Sequence, residues 1–239
     1  MHCFFTNDIQ KDQALIHGED VRHIGKVLRL KSGDTVHLFD GNGHECDAKI
    51  ASVSNDAVVC KTDPWRPSAS EPETSVTLFQ CIPKAGKMET IIQKCVELGA
   101  VSFVPVQSER CVAVWKPPYE NKTERLQRIS EEAAKQSRRG RIPNVQAPQT
   151  LDRLAFDGFD YVLAAYENET AVSLKTALKT VKRGSSIAIV IGPEGGFSEH
   201  EIALLREKGA VSVSLGPRIL RTETAGMAML AQILYEVET

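Results

Sequence analysis

Close cysteine pairs are absent from this chain of 239 residues. The six cysteines, Cys3, Cys46, Cys60, Cys81, Cys95 and Cys111, form no CxxC unit, which removes the paired ligands of a structural zinc site. A disulfide framework is not expected at this length, so they read as buried thiols in a reducing compartment. The histidines are as scattered: His17, His23, His37 and His44 lack metal-ligand spacing, and no acidic cluster suggests a divalent cation. No metal is expected. An excess of either charge is lacking too, with 29 Lys and Arg against 31 Asp and Glu and a net charge of −2. Bulk charge therefore announces no nucleic acid, and any basic surface must be a local patch. No apolar run approaches the about 20 residues of a membrane span. The opening MHCFFTNDIQKDQ has no basic segment followed by a long apolar core. The expectation is a cytoplasmic protein with no membrane partner. There is no internal repeat and no low-complexity tract.

What is present divides in two. Residues 1–70 read as a small β-rich domain. TVHLF at 35–39 is strand-like, DGNG at 40–43 is a turn signal, and 45–53 alternates, so these form a hairpin. AVVC at 57–60 is a further short strand. Between them, 19–30 has helical periodicity, and its polar side carries Arg22, Lys26 and Arg29. Several short strands with one helix suggest a small barrel. PWRPSASEPETS at 64–75 is a linker without periodicity. Residues 71–239 then alternate strands (76–82, 101–106, 161–166, 185–191, 211–215) with helices (87–98, 121–139, 170–181, 198–208, 224–237). That pattern marks an α/β domain with a largely parallel sheet. Ser198 and Glu201 form a capping box. The last helix is apolar nearly all round, which fits burial in the monomer or packing against a second copy.

AAKQSRRGRIP at 133–143 holds Arg138, Arg139 and Arg141 with no acid among them. A helix dipole accounts for one basic residue there, and three arginines in four residues favour phosphate recognition. Two loops dominate the end of the chain. IAIVIGPEGGFSEHE (187–201) and VSVSLGPRILRTETAGMA (211–228) each follow an apolar strand and precede a helix. Glycines at strand ends let the backbone approach a ligand, and adjacent strand ends of this kind build a crevice. Neither loop is a GxGxxG or a P-loop, and Glu194 would repel a phosphate. An adenosyl group between apolar side chains fits better, while tight structural turns are the other reading. No Ser–His or Cys–His nucleophile is legible, so any chemistry rests on positioning and electrostatics.

IGPEGGFS followed by LGPRILRTETA resembles the paired signature of the SPOUT methyltransferases, and more narrowly of the RsmE-type 16S ribosomal RNA uridine-N3 methyltransferases. HIGKVLRLKSGD (23–34), KMETIIQKCVELG (87–99) and EEAAKQSRRGRIP (131–143) resemble the intervening motifs in the same order. The resemblance covers most of the chain. It implies a PUA-like β-barrel RNA-binding domain (1–70), then an α/β SPOUT domain (71–239) whose parallel sheet carries a trefoil knot. It also implies S-adenosyl-L-methionine as cofactor, a homodimer joined through the last helix, and 16S rRNA in the small ribosomal subunit as substrate. Carried onto this sequence, the cofactor residues are Ala164, Ile191, Gly192, Gly195, Gly196, Leu215, Gly216, Ile219, Leu220 and Ala225. The RNA contacts are Arg22, Lys26, Arg29, Arg138, Arg139 and Arg141. Methylating uracil N3 requires loss of its proton. Arg221 is the expected stabiliser of the resulting anion. Glu194 or Glu223 is the candidate base if burial raises its pKa, although each also has a structural reading as turn anchor or helix-dipole partner. The competing readings are a related enzyme acting on tRNA or ribose 2′-oxygen, and a non-catalytic RNA-binding protein.

Overall fold

Alternating apolar residues that pair across strands shape the N-terminal part of the computed structural model, which describes residues 1–84 and 86–238. The strands are β1 (His2–Phe5), β2 (Asp8–Gln10), β3 (Gln13–Ile16), β4 (Thr35–Phe39), β5 (His44–Val53), β6 (Val58–Thr62) and β7 (Arg66–Pro67). They form a mixed sheet in the order β1-β4-β5-β6-β3-β2, with β7 on β5. β1 and β4 run parallel, and the other neighbours run antiparallel. The expected hairpin is β4–β5, and its alternation sends Val36, Leu38, Cys46, Ala48 and Ile50 into one core. The helix expected over 19–30 is shorter. Helix α1 (Glu19–Arg22) widens into a π-helical turn at His23–Val27, which still buries Ile24. Cys46 and Cys60 are buried as expected, and among the described residues all six cysteines are free.

The C-terminal part is built on an all-parallel sheet. Its elements are β8 (Ser75–Cys81), α2 (Lys87–Glu97), β9 (Ser102–Gln107), α3 (Glu120–Ser137), β10 (Asn144–Val145), β11 (Gln149–Thr150), β12 (Tyr161–Ala165), α4 (Leu174–Leu178), β13 (Ser186–Ile191), α5 (Glu199–Glu207), β14 (Val211–Val213) and α6 (Thr222–Glu238). Strand order is β10-β9-β8-β13-β12-β14, with β11 on β9, and every pair is parallel. β13 reads SIAIVI and is buried through Ile187–Ile191, as expected for a strand covered on both faces. α5 begins at the expected box: Ser198 accepts from the Glu201 amide while Glu201 accepts from the Ser198 amide. The helix expected at 170–181 contracts to α4, because the Ser173 hydroxyl caps it only at Leu174. α6 is not buried all round. Thr222, Ala225, Gly226, Met229, Leu230 and Ile233 face inward, whereas Met227, Ala228, Ala231 and Leu234 are half-buried and Tyr235 is exposed.

The chain forms two compact units, residues 1–71 with 134–142, and 72–133 with 143–239. The sequence expectation ran the second domain unbroken from residue 71. Residues 134–142 instead group with the first unit, where Gly43 and Gly140 exchange a backbone hydrogen bond and Arg139 pairs with Glu71. No helix among the described residues is long and apolar enough to cross a membrane.

Candidate functional site

Three adjacent strands, β13, β12 and β14, end at the same edge of the parallel sheet, and the chain leaving each one lines a single cavity of about 610 Å³. β12 contributes Ala165, Tyr166 and Glu167. β13 contributes Ile191, Gly192, Pro193, Glu194 and Gly196. The loop after β14 contributes Ser214 through Thr222, and Ala225 of α6 closes it. The location follows the rule that open α/β sheets bind ligands beyond the carboxyl ends of their strands, and the volume suits a small organic molecule.

The first loop is a turn in which the Gly196 amide donates to Pro193 O at 3.0 Å. Gly196 has φ +64, and a Cβ there would collide with the Glu167 carboxylate. A Cβ on Gly192 would come to 3.2 Å from the Phe197 ring. The outer side of the loop is held by Arg110, which donates to Gly195 O at 3.1 Å and Phe197 O at 3.2 Å. The inner side is tied by Thr222, whose hydroxyl donates to Gly192 O at 2.6 Å and accepts from the Gln80 side-chain amide at 2.8 Å. This chain joins β8, the first loop and the start of α6. Also on the cavity wall, Glu169 accepts from the amides of Ala171 and Val172, and it meets the Ser212 hydroxyl and the Arg206 guanidinium.

Lys87, at the start of α2, places its ammonium 3.1 Å from Glu194 and 3.1 Å from Glu223. Burial pushes both carboxyls up. It is outweighed at Glu194 by the Lys84 amide and Lys87, and at Glu223 by its own backbone amide, Lys87 and then Arg221. Both end below the usual carboxylate range. Burial thus does not raise either carboxyl on balance: each is lowered and lies beside a shared cation.

Of the expected cofactor residues, Ile191, Gly192, Gly196, Leu215, Gly216, Ile219, Leu220 and Ala225 are brought together on the cavity wall, with Glu194 and Arg221. Two are not. Ala164 is buried inside β12, and Ala165 to Glu167 take the position expected of it. Gly195 faces away, and a Cβ there would meet Arg110 at 3.2 Å. Glu223 lies behind the wall rather than on it. Of the expected RNA contacts, Arg22, Lys26, Arg29, Arg138 and Arg141 are exposed. Arg139 is 2% exposed and forks onto Glu71, with Nε 3.1 Å from Oε1, so its guanidinium serves the packing of the first unit and is not offered to RNA. Arg138, beside it, has φ 57, a left-handed conformation unusual for a side chain of this size.

The chain matches the RNA methyltransferase domain over residues 70–234 and the RNA methyltransferase PUA domain over residues 16–63. The chain belongs to that RNA methyltransferase family. The ribosomal RNA small subunit methyltransferase E of Bacillus subtilis (strain 168) is 38% identical over 230 residues, spanning 93% of this chain and 90% of the relative. Its counterpart from Aquifex aeolicus is 30% identical over 242 residues, spanning 98% and 99%. The crystal structure of a ribosomal RNA small subunit methyltransferase E from Neisseria gonorrhoeae, bound to S-adenosyl methionine, matches with a TM-score of 0.84 and 29% identity across 99% of this chain and 98% of that one.

In this RNA methyltransferase the resemblance read from GPEGGFS and GPRILRTETA thus holds. What the sequence reading missed are residues remote from those motifs that organise them: Lys87, Arg110 and Gln80. Lys87 and Arg110 stand among other charges, Lys84 and Glu89 for the one and Glu109 for the other, and nothing in the sequence sets them apart. A lone Gln80 inside the apolar run VTLFQCI was the one available signal, since a polar side chain there needs a partner.

Proposed function

We propose that this RNA methyltransferase moves a methyl group from S-adenosyl-L-methionine to N3 of one uridine in the 16S rRNA of the small ribosomal subunit. The observation that carries the reading is the cavity at the ends of β12, β13 and β14, walled by both glycine loops with Arg221 on its rim. The residues present fit the cofactor. Ile191, Leu215, Ile219 and Leu220 give apolar walls for an adenine ring, and Gly192 and Gly196 leave backbone close to the cavity. Glu167, Glu169 and Glu194 place three carboxylates on the wall around a ligand that carries positive charge.

When bound, the cofactor supplies a methyl group activated by a sulfonium. The chain's own residues do the rest. The loops shed water from the cavity and fix the ligand between them. Arg221 faces the uracil, and its guanidinium stabilises the charge that spreads onto the carbonyl oxygens as N3 gives up its proton to solvent before the methyl group arrives. Glu194 and Glu223, paired with Lys87, set the shape of the loops instead of taking that proton. The exposed Arg22, Lys26, Arg29, Arg138 and Arg141 of the first unit hold the RNA backbone. The half-buried stripe of α6 fits a homodimer face, and a ribosomal substrate places the work in the cytoplasm. The knotted path implied by the family fits two adjacent loops that share one ligand.

The experiment is methyl transfer to small subunits from cells lacking the protein, followed by mapping of the modified base. A 2′-O-methyl product, or activity confined to tRNA, overturns the assignment, and absence of any heat of binding with S-adenosylmethionine would mean a non-catalytic RNA binder. Arg221→Ala should lower kcat by about a hundredfold while leaving cofactor affinity within about twofold; unchanged turnover removes Arg221 from the mechanism.

A further inference from the structure

The two loops that wall the cavity come from distant parts of the chain, and a single cation outside the cavity touches both. Glu194 sits in the turn of the first loop, and Glu223 is the second residue of α6, just after the second loop. Lys87 Nζ is 3.1 Å from an oxygen of each, and its side chain is 30% exposed against 21% for both carboxylates. The Lys84 amide fixes Glu194 from the same side at 3.0 Å. Glu223 Oε2 is shut off from water and accepts no aligned hydrogen bond among the described residues, so the ammonium beside it is what compensates its charge. The charged groups facing the two carboxylates are Lys87 from α2 and, for Glu223, Arg221 from its own loop.

We infer that Lys87 is a positioning residue for methyl transfer: its ammonium staples the first glycine loop to the start of α6 and so sets the cofactor-holding gap between the two loops. The inference rests on the cavity being the S-adenosylmethionine site. Lys87 is not among the cavity-lining residues, so it acts through Glu194, which lies on the wall, and through Glu223, two residues after the cavity-lining Arg221 and within reach of its charge. The Thr222–Gly192 hydrogen bond ties the same two segments from inside. Losing Lys87 therefore loosens the gap without opening the fold.

The test is titration calorimetry of S-adenosylmethionine on the full chain, with steady-state kinetics across pH. Lys87→Met should raise Kd and KM for the cofactor by about fivefold, with a smaller change in kcat, and Lys87→Arg should restore most of the affinity. A structural role alone would not move the pH profile. With the cation gone the carboxylates regain protons more readily, so the acid limb of cofactor affinity should shift to higher pH. If Lys87→Met does not fold, Glu223→Gln, which keeps the shape and removes one end of the ion pair, reports the same link through a raised Kd. Wild-type affinity with an unshifted acid limb in Lys87→Met, or in Glu223→Gln where that variant stands in, overturns the inference alone. A wild-type chain that binds no S-adenosylmethionine overturns the site assignment and the inference together.

Discussion

Glu169 illustrates how much of this site rests on single side chains that no motif announces. The Ser212 hydroxyl and then the Ala171 amide hold its carboxyl down at about 2, with Val172 and Arg206 adding to the effect. A carboxyl lowered on folding stabilises the fold above its unfolded value of about 4.3, and that contribution disappears as the pH falls through about 2. Thermal melts between those limits should therefore show wild-type Tm falling more steeply with acid than that of Glu169→Gln; parallel slopes would show that Glu169 does not carry the link. Nothing in YENETAV distinguishes Glu169 from Glu167, because the difference lies in which carboxylate meets Ser212 across the strand pair. The arginines make the same point. Arg138, Arg139 and Arg141 are alike in sequence, yet Arg139 is buried on Glu71 while its neighbours are exposed. Composition records the number of charges in a segment but not the directions in which they point.

At the scale of elements, the C-terminal unit was legible because its strands and helices carry unambiguous periods. The buried run of β13, the amphipathic α2 and the capping box of α5 each appear near where their residues imply. The first unit was less legible. β1 reads HCFF and β2 DIQ, too short to alternate, and their strand character comes from their partners, β1 from the distant β4 and β2 from β3 across the Lys11–Asp12 turn. α4 was overestimated because 170–181 has apolar spacing before its cap as well as after it. For α6 the composition fits burial in the monomer or packing against a second copy, and in the single chain one apolar stripe is half-covered. If that stripe is a dimer face, Ala231→Glu should weaken self-association on the order of a hundredfold by burying an unpaired charge, measured by sedimentation equilibrium with the circular dichroism unchanged. A wild-type chain that sediments as a monomer sinks the dimer.

For the molecule as a whole, the near-balance of charge makes the placement of basic residues matter more than their number. Long-range attraction to RNA is weak at a net charge of −2, so the few exposed arginines should dominate the salt dependence. Arg138→Ala should weaken binding to the small subunit and reduce the slope of log affinity against log salt by about one; a loss independent of salt would point to damage to the fold. The division of the chain was not readable in full, because 134–142 leave one compact unit for the other within a continuous helical pattern. Hydrophobic periodicity is blind to which body a helix end joins. The cavity wall has a last consequence. Ile191, Leu215, Ile219, Leu220 and the glycine backbones offer surfaces that suit the adenosyl part, which survives the reaction unchanged. A spent cofactor therefore keeps most of what holds a fresh one and differs from it by the charge at sulfur. With the cofactor seated as proposed, discrimination between the two falls to the wall carboxylates Glu167, Glu169 and Glu194, and such a pocket is expected to be inhibited by its own product.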